Sequence, residues 1–474
     1  MKSTYMSLCF IGLLTSCSLE PGYRRPCMEM PQSWRIEASD ESTCCNVRWW
    51  EELQDPILDA LVVQALENNK DLKTAIWRVS EFYGYYQIAS SKLYPQIESD
   101  GMALKERIPE QASFLPEGFS PITPYYKYEF SLSYEIDLWG KIHSQSRAAC
   151  EELLAQVENQ KTVVLSLISA VAQTYLFIRE LDQELKISNA TLRDREEYVV
   201  LARKRFEGGL TSEIEVEQAI SVLEEVRAII ATLEAQIPVQ ENLLSVLLGT
   251  SPTCILRGKE ITQFSLPPVI PAGLPSDLLE RRPDIMAAEN RLIAANARIG
   301  VARAAFFPQI SLTGLFGQES LQLKDLFTAP SIAWAIGGQY AQAIFTGGRL
   351  VGQLNATVSE QRELLYQYEQ TILTAFKEVN DALVTHRQSK KLVDIETQRV
   401  AALVEYLKLA WLRYYEGQAD YLTVLDAETK LLSSELDLTK AQGDVFITLV
   451  DIYKSLGGGW VIEANNSVYP NSCQ

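Results

Sequence analysis

From residue 141 onward, apolar side chains recur at every seventh position over most of the chain. Val157, Val164, Val171, Ile178, Leu185, Leu192, Val199 and Phe206 form one unbroken series. Leu365, Ile372, Val379, His386, Val393, Val400, Leu407 and Tyr414 form a second, displaced by 208 residues. Val216, Leu223, Ile230, Ile237 and Leu244 extend the first series, and Val424, Leu431, Leu438, Val445 and Ile452 extend the second. A seven-residue apolar period sustained this far imposes coiled-coil packing between neighbouring helices. It predicts long helices over 141–207, 211–249, 349–415 and 419–456. At ~1.5 Å per residue the first is about 100 Å long, which suits a rod or a tunnel wall and no compact globule. Pro238 interrupts the second and predicts a kink.

The period changes from seven to two in four short stretches. Tyr126, Tyr128, Phe130, Leu132, Tyr134, Ile136 and Leu138 alternate with Lys127, Glu129, Ser131, Ser133, Glu135 and Asp137. One face is apolar and the other charged, as in a half-buried or barrel strand. Strands are predicted at about 93–107, 126–139, 306–319 and 331–345. Tyr94-Pro95-Gln96-Ile97 recurs as Phe307-Pro308-Gln309-Ile310, so the strands belong to the same duplication. The first structural repeat is 51–260 and the second, which opens with a helix over 276–305, is 261–459. Four strands cannot close around a lumen, and lipid forbids open edges, so the chain must oligomerise. Three copies supply twelve strands.

The N-terminus predicts export. Lys2 precedes an apolar stretch from Tyr5 to Leu14, too short to span a bilayer but suited to a signal peptide over 1–16. Leu14-Thr15-Ser16-Cys17 resembles a lipobox, which makes Cys17 the attachment point for S-diacylglycerol and N-acyl (palmitate) lipid and 17–50 a lipid-anchored segment. Residues 460–474 form a C-terminal tail. The 474 residues carry 43 Lys and Arg against 61 Asp and Glu, a net charge of −18, which excludes a nucleic-acid partner. His143 and His386 are the two histidines, and His386 is expected as a core-edge residue with a local partner. Beyond Cys9 and Cys17 there are Cys27, Cys44, Cys45, Cys150, Cys254 and Cys473; they pair in the N-terminal segment or cross-link the protein to neighbours. None has zinc-ligand spacing, so no metal site is expected. No nucleophile–base pair and no phosphate-binding glycine loop stands out, so no cofactor and no enzyme are expected.

Several segments together carry a family resemblance: Pro21-Gly22-Tyr23-Arg24-Arg25-Pro26, Trp49-Trp50, Asn69-Lys70-Asp71-Leu72, Leu279-Glu280-Arg281-Arg282-Pro283-Asp284-Ile285, Tyr421-Leu422-Thr423-Val424-Leu425-Asp426-Ala427 and Leu456-Gly457-Gly458-Gly459-Trp460. The chain resembles the TolC-like outer membrane efflux proteins, in particular the lipoprotein (NodT) branch that serves RND-type multidrug pumps. The resemblance implies an α+β membrane protein: a homotrimer with a twelve-stranded β-barrel in the outer membrane and a coiled-coil tunnel in the periplasm. It also implies a periplasmic adaptor (membrane fusion) protein and an inner-membrane pump as partners, with small molecules or drugs as cargo.

On that reading the helix-connecting turns acquire roles. Gly208, Gly209, Leu210 and Thr211 in one, and Gly417, Gln418 and Ala419 in the other, are the adaptor-docking turns, with Gly209 and Gly417 left-handed. Asp426, Asp420 and Glu213, with Glu215 and Glu217 nearby, are candidates for carboxylate rings at a periplasmic aperture. Arg205 and Arg413 are their expected inter-helix partners. Asp426 matches a constriction aspartate of the family, while Thr423 stands where a second acid is common. Neutralising Asp426 is therefore expected to raise resting conductance. Two alternatives stay open: a duct for type I protein secretion, and a structural envelope lipoprotein without a pore.

Overall fold

The computed structural model describes residues 18–28, 31, 33–35, 48–109, 121–265 and 275–458. The signal peptide, Cys17, Cys44, Cys45, Cys473 and the tail 460–474 lie outside the described residues. The helices are α1 (Pro56–Asn68), α2 (Lys70–Ser91), α3 (Lys141–Glu207), α4 (Glu213–Leu247), α5 (Pro283–Ala304), α6 (Arg349–Tyr415) and α7 (Tyr421–Ser455). The strands are β1 (Gln96–Arg107), β2 (Ile122–Ile136), β3 (Gln309–Ser320) and β4 (Ile332–Ala341). The duplication is visible in the lengths: α3 and α6 have 67 residues each, α4 and α7 have 35, and α2 and α5 have 22.

The boundaries differ from the sequence reading mostly at turns. The 126–139 strand is Ile122–Ile136, because Asp137 turns back and its carboxylate accepts from the His143 amide at 2.8 Å, at the start of α3. The strand expected over 331–345 stops at Ala341, ahead of left-handed Gly347 and Gly348. The 276–305 helix is broken at Arg282, whose extended backbone precedes Pro283 at the first position of α5. Pro238 lies inside α4, which continues through it to Leu247.

The strands form one antiparallel sheet in the order β1-β2-β3-β4. The two hairpin loops leave one end of the sheet, and every helix leaves the other. Phe130 pairs with Phe316 and Phe316 with Trp334, giving an apolar row across three strands on one face. Lys127, Glu129 and Glu135 lie on the opposite face of β2. Trp334 and Ile336 are 71% and 84% exposed, an arrangement suited to lipid contact. β1 and β4 are open edges in one protomer, so closure needs further copies.

Among the helices, α3 packs on α2, α4, α5 and α7, while α6 packs on α5 and α7. The order around the wall is therefore α2 above α4, then α3, then α5 above α7, then α6. Asn69 explains the stacking of α2 on α4. Its side chain accepts from the Leu72 amide at 2.9 Å as an N-cap and donates to the Leu247 carbonyl at 2.9 Å, sealing two helix ends at once. In the second repeat Arg282 donates to the Ser455 carbonyl at 2.9 Å and joins α5 to α7. Asp55 caps α1 at the Ile57 amide and accepts from the Tyr175 hydroxyl and the Lys259 amide while fully buried.

The heptad positions Val164, Val171, Ile178 and Val199 are buried, as are Ile372, Val379, His386 and Tyr414. Leu185, Leu192, Val393 and Val400 are only partly covered. The flanks of the protomer expose apolar residues: Trp77 and Ile88 on α2, Val239 on α4, and Leu373, Ile395 and Leu412 on α6. These faces lie at opposite edges of the wall, so repeating copies cover them in turn.

Candidate gate at the helical tip

Far from the sheet, α3 turns into α4 and α6 into α7. Both turns use the same device. The Leu210 amide reaches the Arg205 carbonyl at 2.8 Å and the Gly209 amide reaches Phe206 at 2.9 Å; Gln418 and Gly417 repeat this on Arg413 and Tyr414 at 2.8 and 3.0 Å. Gly209 and Gly417 have φ of 68° and 70°, the left-handed conformation that closes a helix end. Leu210 is 75% exposed at the extremity. Gly208 caps α3, Thr211 donates to Glu215, Gln418 bonds Glu416 at 3.0 Å, and Ala419 is half-buried.

The expected aperture residues fall in different settings. Asp426 accepts from Lys430 at 2.8 Å on its own helix and from the Tyr406 hydroxyl of α6 at 3.1 Å. Lys430 first, then Tyr406, holds its carboxyl below the usual range. Asp420 is the exposed N-cap residue of α7, and its carbonyl accepts from the Thr423 amide at 3.0 Å. Glu213 is exposed at the first position of α4. Arg205 places its guanidinium 4.9 Å over the Tyr414 ring, so α3 does reach α6. The Arg413 side chain makes no such contact among the described residues, and its carbonyl accepts from the Gln418 amide.

The group that binds the two helix hairpins together is Glu215. One carboxylate oxygen accepts from the Tyr198 hydroxyl of α3 at 2.8 Å and from the Tyr414 hydroxyl of α6 at 2.5 Å; the other accepts from Thr211. Burial raises this carboxyl, but the three hydroxyls and the Arg205 charge outweigh burial and bring it below the ordinary value. Tyr198 also stacks on Tyr421 of α7, with centroids 4.0 Å apart, and Trp411 packs edge-on against Tyr198. One turn further in, Arg195 of α3 meets Glu428 of α7 at 2.9 Å, both largely buried. Burial raises the Glu428 carboxyl, and Arg195 opposes it.

Asp426 therefore ties α7 to α6 within one hairpin, whereas Glu215, Tyr198 and Arg195 link the α3/α4 hairpin to the α6/α7 hairpin. Spacing alone does not single out Tyr198, Tyr414 and Glu215, which lie up to 216 residues apart. The available signals were the aromatic run Trp411-Tyr414-Tyr415 and the heptad place of Tyr414 beside Arg205. His386 meets its expectation: it is buried, with Nδ1 3.1 Å from the Thr448 hydroxyl. Cys27 and Cys254 are free and exposed, so pairing of Cys27 in the N-terminal segment is not found; Cys150 is disulfide-bonded.

The profile of the outer membrane efflux proteins matches residues 61–250 and 274–458, one match in each repeat. The solvent efflux pump outer membrane protein SrpC of Pseudomonas putida is 35% identical over 473 residues, covering 98% of this chain and 100% of its own. The CmeC outer membrane channel of Campylobacter jejuni superposes with a TM-score of 0.88 at 27% identity, over 95% of this chain and 98% of its own. The open state of the MtrE channel of Neisseria gonorrhoeae superposes with a TM-score of 0.85 at 31% identity, over 94% and 99%. The structural neighbours are trimeric channels with a β-barrel and a helical tunnel, and this sheet, these helices and this coverage make the chain a member of the outer membrane efflux protein family.

Proposed function

We propose that the chain is the passive exit duct of a tripartite efflux machine, expelling small molecules and opened at its helical tip by a periplasmic adaptor working with an inner-membrane, RND-type pump. The observation that carries this reading is the Glu215 junction. Its hydrogen bond to Tyr414 crosses from the α3/α4 hairpin to α6 and separates if the two hairpins move apart, Tyr198 adds a ring contact to Tyr421 of α7, and the junction sits beside two exposed glycine turns. Those turns, with Leu210 outermost, offer an adaptor its docking surface. Solvent-like cargo is supported by the likeness to SrpC, a solvent efflux pump protein. Adaptor docking would convert one helix packing into another, a two-state change that needs no chemistry in the duct itself.

The same reading includes a lipid anchor on Cys17. Ser18 packs against Gly140, the N-cap residue of α3, and Arg303 in the last turn of α5 donates to the Leu19 carbonyl at 3.3 Å. From there Asn296 holds the Pro21 carbonyl at 2.6 Å, and Arg25 grips Glu289 with two bonds of 2.7 Å.

Single-channel recording tests the duct: discrete steps from the full-length trimer in a planar bilayer are expected. A trimer of verified mass that inserts and never conducts, with or without adaptor, overturns the proposal. Labelled palmitate should enter the wild type and not Cys17→Ser.

A further inference from the structure

Between the barrel and the tip, α3 and α7 meet along a seam whose polar groups pair in antiparallel order. Gln173 donates to Asp451 at 2.7 Å near one end, and Arg195 meets Glu428 at the other. Midway lies Glu180, which is 2% exposed. Its Oε2 has no hydrogen-bond partner among the described residues. That oxygen occupies a notch made by Gly443 of α7: a Cβ at Gly443 would lie 2.0 Å from it. A side chain at 443 and this carboxyl group cannot share the space.

The charged surroundings disfavour an ionised group here. Glu184 on the same helix and Asp444 on α7 both repel a charge on Glu180, and Lys440 of α7 attracts it less strongly than either repels it. Arg179, its neighbour in sequence, is committed elsewhere. It donates to the Lys259 carbonyl at 2.8 Å and pairs with Asp182, which Arg257 also binds at 2.8 Å. Arg257 in turn holds Glu241 of α4 at 2.6 Å, closing that network on the far side of α3. A buried carboxylate with an oxygen that no donor reaches takes up a proton and avoids the cost of a desolvated charge. Burial first, then Glu184 and Asp444, push the Glu180 carboxyl up to about 8. Burial raises Glu184 and Asp444 as well.

We propose that Glu180 is a proton-binding site in the tunnel wall, and that its bound proton holds the seam between α3 and α7 shut. The seam is the boundary between the two helix hairpins, so this inference rests on the duct reading. When the seam parts, water reaches Glu180 and its affinity for the proton falls toward the ordinary value of 4.5. The closed form thus holds more protons than the open one. Its extra stability is complete below the ordinary carboxylate value and is lost as pH rises toward 8. Alkaline conditions loosen the wall; acid tightens it. The Glu215 junction responds in the opposite sense and only at lower pH, because its carboxyl is depressed.

The test uses full-length trimer in planar bilayers, with opening recorded from about pH 5 to about pH 9. The open-to-closed ratio is expected to climb by up to about tenfold per pH unit per protomer and to level off near 8. Glu180→Gln keeps the shape but cannot titrate, so it should remove the climb and hold the low value seen in acid. Asp444→Asn removes a like charge and should move the plateau to lower pH. Infrared difference spectra of the same samples give a readout independent of conductance: a carboxylic-acid carbonyl band at neutral pH, missing in Glu180→Gln. An unchanged climb in Glu180→Gln, or no such band in the wild type, overturns the proposal. A trimer that conducts without pH dependence removes the proton site and leaves the duct. A trimer that shows the band but never conducts removes the duct and leaves the site.

Discussion

Removing the carboxylate of Glu215 is the most direct test of how the tip is held. In Glu215→Ala the hydroxyls of Tyr198 and Tyr414, now 2.8 and 2.5 Å from one oxygen, lose a common acceptor. Hydrogen bonds to a charged group contribute about 1.5–3 kcal/mol each. Only the Tyr414 bond crosses between the hairpins, since Tyr198 and Glu215 belong to the same one, and Glu215 is only partly buried, so water replaces some of the loss. A net cost near 2 kcal/mol per protomer is a reasonable working figure, equivalent to roughly 30-fold in the closed-to-open ratio. If three protomers open together the effect multiplies, and the variant should conduct at rest. Recording in planar bilayers gives the ratio directly, and uptake of a large antibiotic normally excluded by the outer membrane gives it in cells. Asp426→Ala is the comparison: it frees Lys430 and Tyr406 within one hairpin and should raise resting conductance less. A Glu215→Ala trimer that stays as closed as wild type, or one surpassed by Asp426→Ala, would refute the assignment of the junction to Glu215.

Three further outcomes are expected. Arg195→Ala leaves Glu428 buried without its cation, which costs about 3–5 kcal/mol for such pairs, and hydrogen exchange should show the tip of α7 opening well before the rest. Asn69→Ala removes the cap of α2 and the seal on the end of α4 together, a loss of about 1–2 kcal/mol; a lowered thermal midpoint with unchanged conductance is the expected pattern. His386 is held neutral, its pKa lowered by burial and then by Lys390. Its contribution to stability is therefore present above the ordinary histidine value and lost as pH falls toward the lowered one. Thermal stability should drop on acidification in the wild type and less so in His386→Gln.

Much of this architecture is readable in the heptads. The 67-residue helices α3 and α6 carry the seven-residue period along their covered face, because a helix of that length has no other way to bury Val164, Val171, Ile372 and Val379. The glycines at 209 and 417 mark the turns because a left-handed residue is needed to close each helix end. The strand ends were less legible: Asp137 and Gly347 belong to connections set by capping of the following helices, which alternation does not report.

The pairing of side chains across hairpins is a different matter. A heptad says which face of a helix is covered and not which helix covers it. Asp426 and Glu215 both stand near a turn with similar neighbours in sequence, yet one is spent within its own hairpin and the other links both. Nothing in the heptads singles out Glu180 until α7 brings Gly443 against it. The repeat, the helix lengths, the strand faces and the need for several copies follow from periodicity, since local burial enforces them residue by residue. The junction at Glu215, the buried Arg195–Glu428 pair and the burial of Glu180 exist only once two hairpins lie side by side, because each depends on distances between helices that the chain order leaves open.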